Sequence, residues 1–193
     1  MSLLSVVVAA AFKVVSSMQR EAQITTNRFT AEGEAQTIAD RITKDLRAAV
    51  TTSATGAAFV SADVSDVTFY ANLADPNGPT KLHAYLTLQP ATNVYLFHED
   101  ATPPDPGGSP GNYTYTGAAS TRIDGQFLDT SQPMFTYFDA DGNPIPTPIT
   151  TLPALRSIDS VGINLRVRVT PNAPVVVFQT QVHVRNVDYN PNT

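Results

Sequence analysis

Residues 1–50 decide the fold, and they read MSLLSVVVAAAFKVVSSMQREAQITTNRFTAEGEAQTIADRITKDLRAAV. This stretch has no proline and Gly33 is its only glycine, so nothing interrupts one long helix. Its first part, 1–15, is apolar on every side apart from Lys13, whereas 16–50 is polar with a narrow apolar stripe. A helix that is apolar on all sides has to be surrounded by lipid or protein, whereas a helix with one apolar stripe has to pack against a single surface. The pattern therefore predicts a subunit that buries one end of its helix and carries a head on the other.

The apolar stripe recurs every three or four residues, which is the spacing of one face of an α-helix. We predict that this face packs on the head through four side chains: Ile38, Ile42, Leu46 and Val50. Arg41 and Asp45 form an i,i+4 pair that we place largely off this face. Polar residues after Val50 favour an end of the helix at residue 52.

Beyond residue 52 the apolar residues alternate, which predicts β-strands. Strands at 67–73, 81–88 and 93–98 are expected to form an antiparallel meander, and 157–169 is expected to pair with 175–187 in a closing hairpin. A short strand at 135–138 precedes a tight turn. The fold class is thus predicted as α+β. The domains are a helix over 1–52, with an assembly half 1–15 and an amphipathic half 16–52, and a β-rich head over 53–193.

Composition narrows the function classes. The 193 residues suffice for one domain with a core. A net charge of −5 without a basic cluster argues against nucleic-acid binding, and the lack of cysteine excludes disulfides and thiolate sites. The apolar run 3–15 is shorter than the ~20 residues of a spanning helix. A signal peptide cleaved at Ala9–Ala11 is the alternative for this run, although it lacks a basic start.

The head offers one weak metal candidate. Asp139, Asp141 and Asn143 alternate around Gly142 as in the opening of a calcium loop, but the distal glutamate of such a loop is missing. A hairpin turn uses the same residue types, so the turn is the preferred interpretation and calcium the alternative.

Other polar residues give no reaction centre. His98, Glu99 and Asp100 are interpreted as a solvated strand end, and His83 and His183 as ordinary sheet positions. None of the short motifs for nucleotide binding, serine hydrolysis or zinc proteolysis occurs, so we expect neither an enzyme nor a cofactor.

A proline- and glycine-rich segment, 102–117, is predicted to be an exposed loop. Tyr113 and Tyr115 within it are candidates for a surface contact, and the alternative is that both rings fold back over the sheet. Asn112 begins an Asn-Tyr-Thr sequon and is a candidate for glycosylation.

Three stretches carry a family resemblance. They are 1–12 (MSLLSVVVAAAF) followed by 29–49 (FTAEGEAQTIADRITKDLRAA), the turn 135–143 (FTYFDADGN) and the strand 157–169 (SIDSVGINLRVRV). Together they resemble the type IV pilins and the pseudopilins of type II secretion, in particular minor pilin-like proteins of the PulJ/PilW type. The resemblance implies a pilin-like fold, with a long helix packed on an antiparallel sheet.

The resemblance also implies a function. The chain would be a structural subunit of a type IV pilus-like filament, and the alternative is a minor tip or adhesin-like pilin, or a secretion pseudopilin that primes assembly or contacts cargo. Its partners would be copies of itself or other pilins, the inner membrane before assembly, and the pilus assembly machinery. It would lie in a cell-surface filament, with a membrane-anchored pool before assembly. The helix residues expected in the filament or membrane are Leu3, Leu4, Val6, Val7, Val8, Phe12, Val14 and Val15.

One departure from the family concerns its start. The prepilin cleavage site and the Phe-Thr-Leu-Ile-Glu opening of the mature helix do not occur in this sequence. Either the front of the chain is missing from the sequence or this subunit lacks the acidic residue. Processing, N-methylation and the glutamate contact are therefore assigned to no residue.

Overall fold

The computed structural model describes the backbone of residues 2–53, 55–170, 173–184 and 187–188, and their side chains except those of 2–7, 9–10, 126–127 and 187–188. In chain order its elements are α1 (Ser2–Arg47), β1 (Val50–Thr51), β2 (Phe59–Ala62), β3 (Asp66–Ala71), β4 (Thr80–Gln89), β5 (Val94–Thr102), β6 (Ser120–Leu128), β7 (Phe135–Phe138), β8 (Pro144–Ile145), α2 (Leu152–Arg156), β9 (Ser160–Val167), β10 (Val176–His183) and β11 (Val187–Asp188). A long helix with an antiparallel sheet confirms the predicted α+β class.

The helix α1 runs without a break for 46 residues, as expected for a stretch without proline. One face of its C-terminal part is buried in the core: Ala31, Ala35, Ile38, Ala39, Ile42 and Leu46. Ile38, Ile42 and Leu46 thus lie where the spacing predicts them. This face lies over β6, β9 and β10.

The end of α1 differs from the prediction. The helix stops at Arg47 instead of residue 52, and Ala49 forms an antiparallel bridge with Ala71. Val50 is buried as predicted, but it lies in β1, opposite Val187 of β11, in a parallel pair. Valine is β-branched and favours strands. Val50 therefore lies in a paired strand, although the apolar spacing predicted that it would continue the helix.

The main sheet has the order β2-β3-β4-β5-β6-β9-β7-β8, and β10 pairs with β9. The predicted meander is present: β3, β4 and β5 are antiparallel neighbours. The closing hairpin is also present, with β9 and β10 in register from Ser160–His183 to Val167–Val176. Residues 185–186 of its predicted second strand lie outside the described residues.

Besides β1, the elements that were not predicted include the strands β2, β6 and β8 and the short helix α2, and β8 contains Pro144, where the prolines argued against a strand. In β6 the positions that face α1 include Arg122, Asp124 and Gly125, while Ile123 faces solvent. This is the reverse of the apolar-in, polar-out alternation by which a strand is identified. The pattern of apolar residues in the sequence therefore does not identify β6 as a strand.

The core lies between α1 and the sheet, and its largest buried side chains include Tyr137, Phe69, Phe97 and Phe135. The Tyr137 hydroxyl donates a hydrogen bond of 3.0 Å to the carbonyl oxygen of Asp63, so the buried phenol is satisfied. Gly125 brings β6 close to the helix, because a Cβ at this position would collide with Cδ1 of Ile38.

In the described part of the chain, no helix combines the length and the apolar character needed to cross a bilayer.

Candidate functional site: the exposed half of the helix

The described side chains of α1 before residue 31 are exposed, apart from Asn27, which is half-buried. Among them are large apolar groups: Phe12 is 72% exposed, Phe29 68% and Met18 63%. Of the predicted filament residues, Val8, Phe12, Val14 and Val15 all lie exposed in this segment. The side chains of Leu3, Leu4, Val6 and Val7 lie outside the described residues, although their backbone is helical.

Helix geometry arranges several of these groups on one side. Five of them lie within about a third of the circumference at roughly 100° per residue, and we call them the outer stripe: Val8, Phe12, Val15, Met18 and Phe29. Phe29 precedes the buried Ile38 by nine residues, which is half a turn plus two full turns. The outer stripe therefore lies opposite the face that packs on the sheet.

The one charge of the apolar part does not interrupt this surface. Lys13 is exposed and follows Val8 by five residues, so it lies roughly 140° around the helix from Val8. Its ammonium group can stay in water while the outer stripe is covered.

An open groove of about 640 Å³ lies between α1 and β10. Ile24, Ala35 and Phe178 line it, and the ion pair of Arg28 with Glu32 lies along its wall. The groove is on the head side of the helix, whereas the outer stripe is on the other side.

The two tyrosines of the loop after β5 are half-buried against the head. The Tyr115 hydroxyl donates a hydrogen bond of 2.9 Å to the carbonyl oxygen of Pro79, and its ring lies 5.3 Å from that of Tyr70. Burial raises the pKa of Tyr115 far above its ordinary value. The half-buried Tyr113 ring covers Gly78 and Gly108, at both of which a Cβ would overlap it. Both rings thus fold back over the head, which is the alternative that the sequence left open.

Asn112, which immediately precedes Tyr113, is exposed, as a glycosylation acceptor must be. Its backbone N–H donates to the carbonyl oxygen of Ser109 at 2.8 Å.

The Asp139 segment is a turn. The Asp139 carboxylate accepts the backbone N–H groups of Asp141 at 3.0 Å and Asn143 at 2.8 Å, and Gly142 adopts a positive φ of 81°. These hydrogen bonds, with that from the Asn143 backbone first, lower the pKa of Asp139. Both carboxylate oxygens of Asp139 thus accept hydrogen bonds within the turn, as expected for the preferred interpretation. Across the described residues no group of three or more His, Cys, Asp or Glu side chains is placed to hold a metal ion.

The predicted strand end 98–100 is divided between the two faces of the sheet. His98 stacks on Tyr85 at 5.3 Å, and Tyr85 stacks on His83 at 4.3 Å, on the face away from α1. Glu99 points to the other face and is only 3% exposed. The interpretation of Glu99 as a solvated residue is therefore wrong.

Glu99 belongs to a partly buried charged cluster beneath α1: Arg41, Asp45, Glu99, Arg122 and Asp124. Asp45 is 1% exposed, so its placement off the buried face of α1 is also wrong. Burial raises the pKa of the Asp45 carboxyl to about 7; Glu99 adds to the rise, while Arg41 and Arg122 oppose it. The sequence signal for the cluster was the i,i+4 pair of Arg41 and Asp45, but its partners come from β5 and β6.

Protein-family models do not match this chain, and a search of curated protein sequences finds no significant match.

Proposed function

We propose that this chain is a structural subunit of a type IV pilus-like filament that assembles through the exposed half of α1. The observation that carries the proposal is the two-sided helix. Ile38, Ile42 and Leu46 hold it to the head, while the outer stripe leaves large apolar groups uncovered on the opposite side. Exposed apolar surface of this kind marks a contact with protein or lipid.

The free energy gained by burying the outer stripe is consistent with assembly through several contacts, none of which suffices alone. Each large side chain of the outer stripe contributes roughly 1.5–3 kcal/mol when it is fully buried. Association costs about 4–15 kcal/mol in lost freedom, so several stripe residues have to be covered at once. Contacts between a helix and different neighbours are heterologous, and such contacts build an open helical filament when they do not close into a ring.

The proposal includes partners and a location. Copies of this chain or other pilins would cover the outer stripe in the filament, and the inner membrane would receive it before assembly. The assembly machinery would move the subunit from the membrane to a filament at the cell surface. The role is structural, without catalysis or a cofactor, and calcium and nucleic acid have no part in it.

A minor tip subunit or a secretion pseudopilin is the second candidate. It would use the same helix, but it would also need a specific contact on the head. Tyr113 and Tyr115 were the residues proposed for that contact, and both rings pack on the protein itself. The shaft subunit is therefore the better supported of the two roles.

Electron microscopy of filaments sheared from the native cells, labelled with an antibody to the head, tests the proposal. Label along the length of thin filaments is expected for the shaft subunit. Label at filament ends only would favour the tip subunit. Protein that stays in membranes while filaments carry no label would contradict the filament role.

A further inference from the structure

Five charged side chains meet where α1 crosses β5 and β6. From the helix, Arg41 Nε lies 2.9 Å from Asp45 Oδ2, and Arg41 Nη2 lies 3.1 Å from Oε1 of Glu99 in β5. From β6, Arg122 Nη2 lies 2.6 Å from the same Glu99 oxygen and Arg122 Nε contacts Asp124. The cluster thus links the helix to two strands of the head.

The charges of this cluster do not balance. Three carboxylates face two guanidinium groups, which leaves one excess negative charge when all are ionised. Glu34 lies beside Gly125, next to Asp124, and adds a further carboxylate on the same side. Both arginines reach solvent, whereas Asp45 and Glu99 do not. An uncompensated charge at a buried site is costly, so a bound proton stabilises this arrangement.

The contacts indicate where the proton resides. Glu99 is paired with both arginines, while Asp45 has Arg41 as its one ion-pair partner in the part of the chain described. The positive charge of Arg41 is shared, because its guanidinium group contacts both Asp45 and Glu99. Asp45 therefore receives the least compensation of the buried carboxylates and is the group that keeps the proton.

We propose that Asp45, held beside Arg41 and Glu99 where α1 meets the head, binds a proton that makes the docking of α1 on the head depend on pH. With Asp45 protonated, the five-residue cluster is neutral and the helix is held firmly on the head. Loss of that proton leaves a buried negative charge at the junction and weakens the hold. This inference does not rest on the filament role, because it concerns the contact within one chain.

The direction of the effect follows from the proton balance. The folded chain holds the Asp45 proton up to about pH 7, whereas an unfolded aspartate releases it near its ordinary value of 3.8. This contribution to stability is therefore complete below the unfolded pKa and is lost as the pH rises towards 7. Over the range from pH 5 to pH 8 the unfolding equilibrium constant is expected to rise roughly ten- to a hundredfold from this group.

Urea unfolding of the full chain at pH 5 and pH 8 tests the proposal, with Asp45→Asn as the variant. Asparagine has the shape of the protonated aspartic acid and carries no charge, so the variant is expected to lose this pH dependence and to exceed the wild type in stability at pH 8. Asp40→Asn, at an exposed position of the same helix, is the control that keeps the wild-type profile. Parallel profiles of wild type and Asp45→Asn would overturn the proposal.

A second measurement needs no variant and covers the case in which Asp45→Asn does not fold. Infrared difference spectra of the wild-type chain between pH 5 and pH 8 are expected to show the loss of one protonated carboxyl band. The absence of that band at pH 5 would overturn the proposal as well.

Discussion

Phe29 and Ile38 lie on opposite sides of α1, nine residues apart. Ile38 is fully buried against β6, whereas Phe29 is among the most exposed apolar side chains of the described chain. The same helix therefore presents one apolar surface to its own head and another to the outside. This two-sidedness is the structural basis of the proposed assembly role.

The two residues are expected to respond oppositely to truncation. Ile38→Ala removes packed atoms from the core and should lower the free energy of unfolding by about 2–5 kcal/mol. Phe29→Ala removes a side chain that touches little in the isolated subunit and should stay within about 0.5 kcal/mol of the wild type. Urea unfolding of both variants checks this. Equal losses would show that the outer stripe is also packed within the chain.

Gly125 tests the close approach of β6 to the helix. In Gly125→Ala the new Cβ would collide with Ile38 Cδ1. The strain is expected to cost about 1–3 kcal/mol. Gly117→Ala is the matched control, since a Cβ there meets no atom within 4 Å. Thermal unfolding of the two variants should separate them, and an unchanged Gly125→Ala would mean that the helix sits further from the sheet.

Tyr115 is expected to hold the loop between β5 and β6. Tyr115→Ala removes the hydrogen bond to Pro79 and the contact with Tyr70. Limited proteolysis should then cut the loop, near residues 103–117, faster than in the wild type. Asn112→Gln, at an exposed position in the same loop, serves as the control. Equal cleavage rates in the two variants would contradict an anchoring role for the ring.

Asp129 gives a prediction for acid conditions. Hydrogen bonds from Ser131, aided by Arg168 at 3.0 Å, lower the pKa of Asp129. Because the folded pKa is lowered, the stabilisation is present above the ordinary aspartate pKa and is lost as the pH falls through the folded value. Asp129→Asn should therefore cost about 1 kcal/mol at pH 6 and less at pH 3. Urea unfolding at both values checks this, and a cost that grows on acidification would refute it.

Local patterns predict part of this fold well. The spacing of Ile38, Ile42 and Leu46 fixes the buried face of α1, and the alternation in β4 and β9 fixes two strands. These elements bury one apolar side, so their sequence repeats with the period of their geometry.

The other parts depend on partners that are distant in sequence. In the sequence Glu99 resembles any residue at the end of a strand. In the structure it forms ion pairs with Arg41 from α1 and Arg122 from β6. Similarly, Tyr115 lies in a loop of the sequence, but in the structure its ring contacts Tyr70 and its hydroxyl donates a hydrogen bond to Pro79. Because no pattern within either segment encodes those contacts, the partly buried cluster and the folded-back loop appear only in three dimensions.

The most direct test of the central claim compares Phe12→Asp with Ser17→Asp. Both variants add one charge to the exposed half of α1, but Ser17 lies five residues after Phe12 and thus roughly 140° around the helix, away from the outer stripe. Urea unfolding first establishes that both heads remain folded, and filaments sheared from cells that express each variant are then counted by electron microscopy. The account predicts that Phe12→Asp abolishes filaments while Ser17→Asp retains them. Normal filaments from the Phe12→Asp variant would contradict assembly through the outer stripe.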